Sequence, residues 1–170
     1  SYKAALLSEI DKAERKALKT GIPALFRLNG TSDIDYTDII KERPKSLFYD
    51  YSKVLSNVRK NTLANYDLTY SASMYSKQSR AAFKKAVKAG HRIAVAFNTK
   101  GLASDELQIN HTLASFDKTD LRHLDGAVIG SLTRKGSSKA DRAADNLQAN
   151  SFFVTTANLV AFNDIIAIGG

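Results

Sequence analysis

Asp33, Asp50 and Lys53 lie at or just after the ends of predicted strands, where residues of their types could support catalysis in this 170-residue chain. Two carboxylates can act together on a metal ion or in acid–base chemistry, and a lysine can neutralise a phosphate. Each residue also has a structural explanation, because Asp33 is a suitable helix N-cap and Lys53 could lie in solvent on a first helical turn. The three residues are therefore candidate catalytic groups without a recognised catalytic pattern.

A wider set of polar residues follows the predicted strands, at the positions where ligands bind in parallel α/β folds. Arg27 lies inside an apolar strand, either as an outward edge residue or as a pocket arginine that holds an anion. The other strand ends could be polar only because they cap helices. The candidate ligand-binding residues are Arg27, Asn29, Thr31, Ser32, Tyr49, Ser71, Asp120, Arg122 and Lys135.

Signatures of metal sites, hydrolases and dinucleotide-binding proteins are absent from the sequence. The chain has no cysteine, and His91, His111 and His123 lack the spacing of a zinc site. No G-x-S-x-G, Walker A or G-x-G-x-x-G motif occurs. The charged segment 117–125 could take up a cation, but such clusters are commonly solvated turns. We therefore expect neither a metal site nor a cofactor.

The elements that must position these residues alternate between helix and strand. An amphipathic helix over residues 2–19 is followed by Pro23, which stops helical structure. Apolar segments of strand length then recur at intervals of about 20 to 25 residues, which predicts right-handed βαβ crossovers in a parallel sheet. The predicted strands are 24–28, 46–50, 66–70 and 92–97, and the predicted helices between them are 35–42, a segment that opens at 51–53, and 76–89.

The pattern changes after Gly101. Residues 109–116 and 126–132 are predicted strands, and residues 134–150 are predicted to be a mobile loop or a weak helix. Residues 151–156 and 159–168 are rich in β-formers and predict extra C-terminal strands. We expect one α/β domain over residues 1–170, a partial (β/α) barrel with a C-terminal β extension over about 151–170.

Positive charge is concentrated in one part of the chain. The formal net charge is +8, and residues 51–100 contain ten Lys and Arg against a single acid, Asp67. A one-sided basic field favours a polyanionic partner, although a charged helix face is often only solvated. Four basic residues lie within about 80° of one another on the predicted helix 76–89. These candidate nucleic-acid-binding residues are Lys77, Arg80, Lys84 and Lys88, and Tyr49, Tyr51, Tyr66 and Tyr70 are available to stack on bases.

Several motifs occur in an order that is typical of one phage and plasmid family. They are RLNGTSDI at 27–34, FYDYSK at 48–53, NYDLTYS at 65–71, GHRIAVAF at 90–97, DLRHLD at 120–125 and VIGSLTRKG at 128–136. Over about residues 5–154 the chain resembles the family called gene product eighty-eight. The resemblance implies a mobile-element protein in a bacterial or archaeal cytoplasm more than it implies a reaction.

The resemblance also implies that longer members of the family carry a cysteine-containing segment upstream of the matched region. This sequence begins without Met and contains no such segment. We therefore expect a processed chain or a part of a longer one.

Three functions from different classes remain open. The first is a phage- or plasmid-encoded nucleic-acid-binding protein that uses a basic face of residues 53–100, with DNA favoured over RNA. The second is an enzyme, retained or degenerate, that acts on a phosphorylated or nucleotide substrate at the strand ends. The third is a structural or host-interaction protein without catalysis. For any of the three, a homo-oligomer or a host protein partner is also open. No apolar run approaches the roughly 20 residues of a membrane helix, so we expect no membrane partner. The resemblance implies a cytoplasmic location in the host cell of a phage or plasmid.

Overall fold

The computed structural model describes residues 1–30, 32–99, 102, 114–117 and 129–169. Most of the predicted strand 109–116 and of the charged segment 117–125 lies outside these residues.

The predicted alternation of helices and strands is confirmed in the first hundred residues. The helices of the described chain are α1 (Tyr2–Thr20), α2 (Thr37–Lys41), α3 (Leu55–Lys60), α4 (Lys77–Lys88), α5 (Lys139–Asp145) and α6 (Leu159–Ile166). α1 ends at Gly21, whose left-handed φ of 70° suits glycine. α4 begins after Ser76, whose hydroxyl accepts a hydrogen bond from the Ser79 N–H. None of these helices is both long enough and apolar enough to cross a lipid bilayer.

Six strands of the described chain form one sheet in which every pairing is parallel. The strands are β1 (Leu25–Phe26), β2 (Leu47–Ser52), β3 (Tyr66–Ala72), β4 (Ile93–Phe97), β5 (Ala114–Ser115) and β6 (Ile129–Thr133). Their order across the sheet is β1-β2-β3-β4-β6-β5. The predicted α/β fold with a parallel sheet is therefore confirmed, and closure into a partial barrel stays a prediction.

Parallel pairing places the carboxyl ends of all the strands along one edge of the sheet, which we call the rim. Two clusters of buried apolar side chains hold the helices against this sheet. Ile10 of α1 and Phe48 of β2 belong to one cluster. In the other cluster the ring of Phe162 in α6 lies 5.8 Å from that of Phe83 in α4 and 5.4 Å from that of Phe97 in β4. The rim is thus built on a packed scaffold.

The prediction of C-terminal strands is wrong for residues 159–166, which form α6. Residues 156–158 form a 3-10 helix, and the described β pairing of the C-terminal segment is a bridge between Val154 and Phe97. α6 buries Phe162, Ile165 and Ile166, whose spacing of three and four residues is the helical period. A short apolar run is compatible with both a helix and a strand. In the structure the segment is a helix, which packs Phe162 against Phe83 and Phe97.

For residues 134–150, the helix alternative is correct. α5 begins with a capping box in which Ser138 and Asp141 each bond to the other's backbone N–H. The segment therefore contains a defined helix, although none of the residues of α5 is buried.

Candidate functional site

Asp50 carries a buried carboxyl group near the rim ends of β1 and β2. Its side chain is 1% exposed, because alternate residues of β2 face inward. One oxygen, Oδ1, accepts a hydrogen bond from the Asn29 N–H at 2.9 Å, and the other, Oδ2, accepts one from the Tyr66 hydroxyl at 3.3 Å. The Arg27 Nε atom lies 4.0 Å from Oδ1. The parallel register of β1, β2 and β3 thus brings together residues that are far apart in sequence.

Burial raises the pKa of the Asp50 carboxyl, because removal from water disfavours the charged form. The hydrogen bonds from Asn29 and Tyr66 and the charge of Arg27 act in the opposite direction and only partly offset this effect. Burial and the nearby Asp50 also raise the pKa of the Tyr66 phenol, which therefore remains a hydrogen-bond donor at neutral pH.

Asn29 organises the turn that follows β1. Its side-chain Nδ2 donates to the Ile34 carbonyl at 2.8 Å, and its Oδ1 accepts from the Ser32 hydroxyl at 2.8 Å and from the Ile34 N–H at 3.0 Å. These bonds fix the turn so that the Asn29 N–H is directed at Asp50. Asn29 and Ser32, two of the predicted ligand-binding residues, therefore have structural roles in the turn.

A polar cavity of about 150 Å³ lies beside this cluster. Tyr66 both lines the cavity and bonds to Asp50, so it connects the buried carboxyl group with the cavity. Asp33, a predicted catalytic residue, is exposed and also lines it. The remaining polar side chains of the lining are those of Asp35, Tyr36, Thr37, Tyr51, Ser52, Asn57, Lys60 and Asn61 together with that of Asn29.

The structure does not bring all three predicted catalytic residues to this cavity. Lys53 is exposed, and its ammonium group lies 4.9 Å from the ring centroid of Phe152. Arg27 is near Asp50, but its guanidinium group lies over the ring of Tyr51, 5.0 Å from the centroid. Its side chain is 33% exposed, which agrees in part with both interpretations of this residue.

The rim end of β4 is occupied by a hydrogen-bond network that the sequence analysis missed. Asn98 is fully buried, and its Nδ2 donates to the Arg142 carbonyl at 2.7 Å and to Asn146 Oδ1 at 3.0 Å. Its Oδ1 accepts from Arg134 Nη1 at 3.0 Å, and Arg134 also forms a salt bridge with Asp145. α5 therefore covers the rim end of β4. The polar atoms of the Asn98 side chain form their hydrogen bonds within the protein.

The basic residues predicted on one helix all lie on α4. Lys77, Lys84 and Lys88 are exposed. Arg80 is half-buried, and its Nη1 donates to the Met74 carbonyl at 2.7 Å and to Asn150 Oδ1 at 3.3 Å. We call the four residues Lys77, Arg80, Lys84 and Lys88 the α4 stripe. Arg80 anchors the start of this stripe, and the three lysines remain in solvent.

The predicted stacking tyrosines are mostly covered. Tyr70 is 2% exposed, and Tyr49, Tyr51 and Tyr66 are half-buried. Tyr75, which is not among the predicted residues, is 65% exposed immediately before α4. The sequence feature that could have identified Tyr75 is its position in a polar segment next to a basic helix.

The other predicted site residues are scattered. Ser71 is half-buried and Lys135 is exposed, whereas Thr31, Asp120 and Arg122 lie outside the described residues. Asp117 accepts a hydrogen bond from the Thr133 N–H at 2.9 Å. In the described ranges, no three His, Cys, Asp or Glu residues are grouped as a metal site would need.

The fold and these sites define a parallel α/β protein with a buried carboxyl group at its rim and a basic helix beside it. A family model described as "Gene product 88" matches residues 1–149. The chain therefore belongs to the Gene product 88 family, a family of phage proteins, and the predicted resemblance is confirmed. No curated protein and no solved structure matches the chain.

Proposed function

We propose that this protein binds nucleic acid, with DNA as the favoured partner, through the α4 stripe. The observation that carries the proposal is the exposure of Lys77, Lys84 and Lys88 on one helix, where none of them forms a salt bridge with any described residue. Residues 68–100 contain no Asp or Glu. The one acid of residues 51–100, Asp67, is engaged by Arg92. Among the described residues, no acidic side chain therefore neutralises the three lysines of α4.

The spacing of these charges suits an extended phosphate backbone. A 12-residue helix is about 18 Å long, and the lysines occur along most of that length on one side. Binding of phosphates by lysines releases counterions from the nucleic acid, which makes the affinity favourable and strongly dependent on salt. A solvated lysine face without a ligand would show no such binding.

Fluorescence anisotropy with labelled single-stranded DNA, duplex DNA and RNA tests this proposal. The variant Lys84→Glu/Lys88→Glu reverses two charges of the stripe. Arg15→Glu/Lys19→Glu is the matched control, because these residues of α1 are also exposed and also four positions apart. We expect the first variant to lose binding at about 50 mM salt and the control to bind nearly as tightly as the wild type.

Two outcomes would contradict the proposal. The wild-type protein could fail to bind any of the three nucleic acids at low salt. Alternatively, the α1 control could weaken binding as much as the α4 variant, which would show a response to net charge alone. Circular dichroism of both variants would verify that α4 and α1 remain folded.

The cavity beside Asp50 supports a second candidate function, an enzyme or binding site for a phosphorylated ligand at the rim. The buried carboxyl group with its raised pKa, joined to the cavity through Tyr66, is the observation in its favour. Its volume of about 150 Å³ is well below the roughly 300–1,000 Å³ of typical ligand pockets. The cavity could therefore hold only part of a nucleotide, and we rank this function second.

Thermal-shift screening with nucleotides and sugar phosphates tests the second candidate. Asp33→Ala and Tyr66→Phe alter the cavity lining, and either should abolish a ligand-induced rise in Tm. Both should leave nucleic-acid affinity nearly unchanged, because neither residue belongs to the α4 stripe. If no compound raises the Tm of the wild type, or if both variants respond as the wild type does, the cavity is not the site.

A further inference from the structure

We propose that Tyr75 stacks on a base of single-stranded nucleic acid, so that the protein prefers single strands to duplexes. This inference rests on the proposed function of the α4 stripe and specifies its ligand. The stripe can bind phosphates of any nucleic acid, whereas an exposed aromatic ring can stack only on bases that are not already paired and stacked.

Tyr75 is an unusually exposed aromatic residue for this protein. Of the seven tyrosines, all of which are described, Tyr2 and Tyr75 are the two that are exposed. The Tyr2 hydroxyl pairs with that of Tyr36 at 3.1 Å, across the gap between α1 and α2. Tyr75 is 65% exposed and lies between the rim end of β3 and the N-cap of α4. Its ring is therefore presented at the end of the α4 stripe.

The backbone around Tyr75 is held in place. The Tyr75 N–H donates to the Ser73 hydroxyl at 3.1 Å, and Arg80 donates to the Met74 carbonyl at 2.7 Å. The Met74 side chain is fully buried, and Ser76 caps α4. A ring on a fixed backbone loses little conformational entropy when a base stacks on it.

The surroundings of the ring also suit a nucleotide. Tyr75 lines an open groove together with Lys77, Arg80, Gln148 and Asn150. Lys77 is placed for a phosphate. The exposed Gln148 amide offers a donor and an acceptor to a base edge, and Asn150, whose Oδ1 accepts from Arg80, offers the N–H groups of its amide. Aromatic platforms beside basic grooves are how proteins bind single strands with little sequence preference.

The test uses two substitutions of Tyr75 and two DNA probes, a labelled oligothymidylate and a duplex of the same length. Tyr75→Ala removes the ring, and we expect it to weaken single-strand binding by roughly tenfold or more. Duplex binding should change by less than about twofold. Tyr75→Phe retains the ring and should bind the single strand as the wild type does. Tyr2→Ala removes the other exposed ring and should leave both affinities unchanged.

A spectroscopic measurement separates stacking from a structural effect. The chain has no tryptophan, so Tyr75→Trp introduces a single indole at this position. Saturating oligothymidylate should quench its emission, and this variant should bind the single strand at least as tightly as the wild type.

The outcomes distinguish this inference from the proposed function. If Lys84→Glu/Lys88→Glu loses binding while Tyr75→Ala binds the single strand as the wild type does, base stacking at Tyr75 is wrong and the function of the stripe stands. Equal weakening of single-strand and duplex binding by Tyr75→Ala, or unchanged indole emission at saturation, would also overturn stacking. If the wild type binds no nucleic acid, both proposals fall.

Discussion

At the scale of single residues, Asp50 and Asn98 are both polar, but only the Asp50 side chain can carry a charge. Both are buried side chains near the rim. Asp50 is an ionisable group removed from water, and the hydrogen bonds from Asn29 and Tyr66 offset the cost of its charge only in part. Asn98 is neutral, and its side chain makes three hydrogen bonds within the protein. Asp50 therefore costs stability as an anion, whereas Asn98 contributes stability at every pH.

Asp50→Asn should raise the free energy of unfolding at pH 7 more than at pH 4. Burial raises the pKa of Asp50 in the folded protein above the ordinary value of 3.8, so the folded state binds the proton more tightly than the unfolded state does. The stabilising contribution of the Asp50 carboxyl to the free energy of unfolding is therefore fully present below pH 3.8. It is lost as the pH rises through the folded-state pKa. The amide does not titrate, and its oxygen can still accept from the Asn29 N–H while its nitrogen donates to the Tyr66 oxygen.

Urea unfolding of the wild type and of Asp50→Asn at several pH values measures this effect. Asp164→Asn is the matched control because it removes one carboxylate from an exposed position, and it should change the stability at pH 7 by less than about 0.5 kcal/mol. A stability difference that decreases from pH 4 to pH 7 would show that Arg27 and the hydrogen bonds stabilise the anion, contrary to the expected direction.

Asn98→Ala should destabilise the protein by about 2–4 kcal/mol. The substitution removes three hydrogen bonds and leaves the half-buried Arg142 carbonyl and Asn146 side chain without their donor. Asn57→Ala replaces an exposed asparagine of α3 and should change stability by less than about 0.5 kcal/mol. Equal effects of the two substitutions in urea unfolding would show that the Asn98 network adds nothing to stability.

At the scale of elements, α6 decides how the C-terminal segment contributes to the core. Phe162 contacts the aromatic rings of α4 and β4, whereas Val160, two residues earlier, is 75% exposed. In a strand these two side chains would point to the same face, because side chains alternate with a period of two. In a helix they are about 200° apart, which explains their different burial.

Val160→Asp should be tolerated and Phe162→Ala should not. We expect the exposed substitution to change stability by about 0.5 kcal/mol or less and the buried one to cost about 3–5 kcal/mol. Thermal or urea unfolding of the two variants measures the difference. If Val160→Asp proves as damaging as Phe162→Ala, both side chains are buried, and the segment is not a helix in this orientation.

At the scale of the whole molecule, the uneven charge is arranged by the fold. The net charge of +8 alone would favour weak attraction to any polyanion. α4 concentrates part of this charge on an exposed surface, with Tyr75 at one end of it. Positive charge that is concentrated on one surface predicts a specific number of phosphate contacts. That number can be obtained from the salt dependence of the binding affinity.

Lys84→Gln/Lys88→Gln should reduce the slope of log affinity against log salt by about 1.4 for single-stranded DNA. The expected value comes from about 0.7 for each neutralised phosphate on a single strand, multiplied by two lost lysines. Anisotropy titrations at four salt concentrations give the slopes. Arg15→Gln/Lys19→Gln removes the same charge from α1 and should leave the slope unchanged, and an equal reduction in this control would argue against a localised site.

Local patterns in the sequence determined the family, the alternation of strands and helices and the position of α4. Ser76 as the N-cap and the apolar side of α4 are features of neighbouring residues, so they can be recognised without the rest of the chain. The parallel sheet follows from that alternation, because parallel strands need crossover connections. The site residues near β1 and β2 were found for the same reason, since ligands and polar turns share the strand ends.

Tertiary structure decided what the individual side chains do. Residues 159–166 fit both a strand and a helix locally, and packing on Phe83 and Phe97 accompanies the helix. Asn98 is joined to Arg134 across 36 positions, and Asp50 to the Asn29 N–H across 21. The sequence could predict neither network, because burial and hydrogen bonding depend on which distant residues the folded chain brings within reach, and a local pattern does not specify those partners.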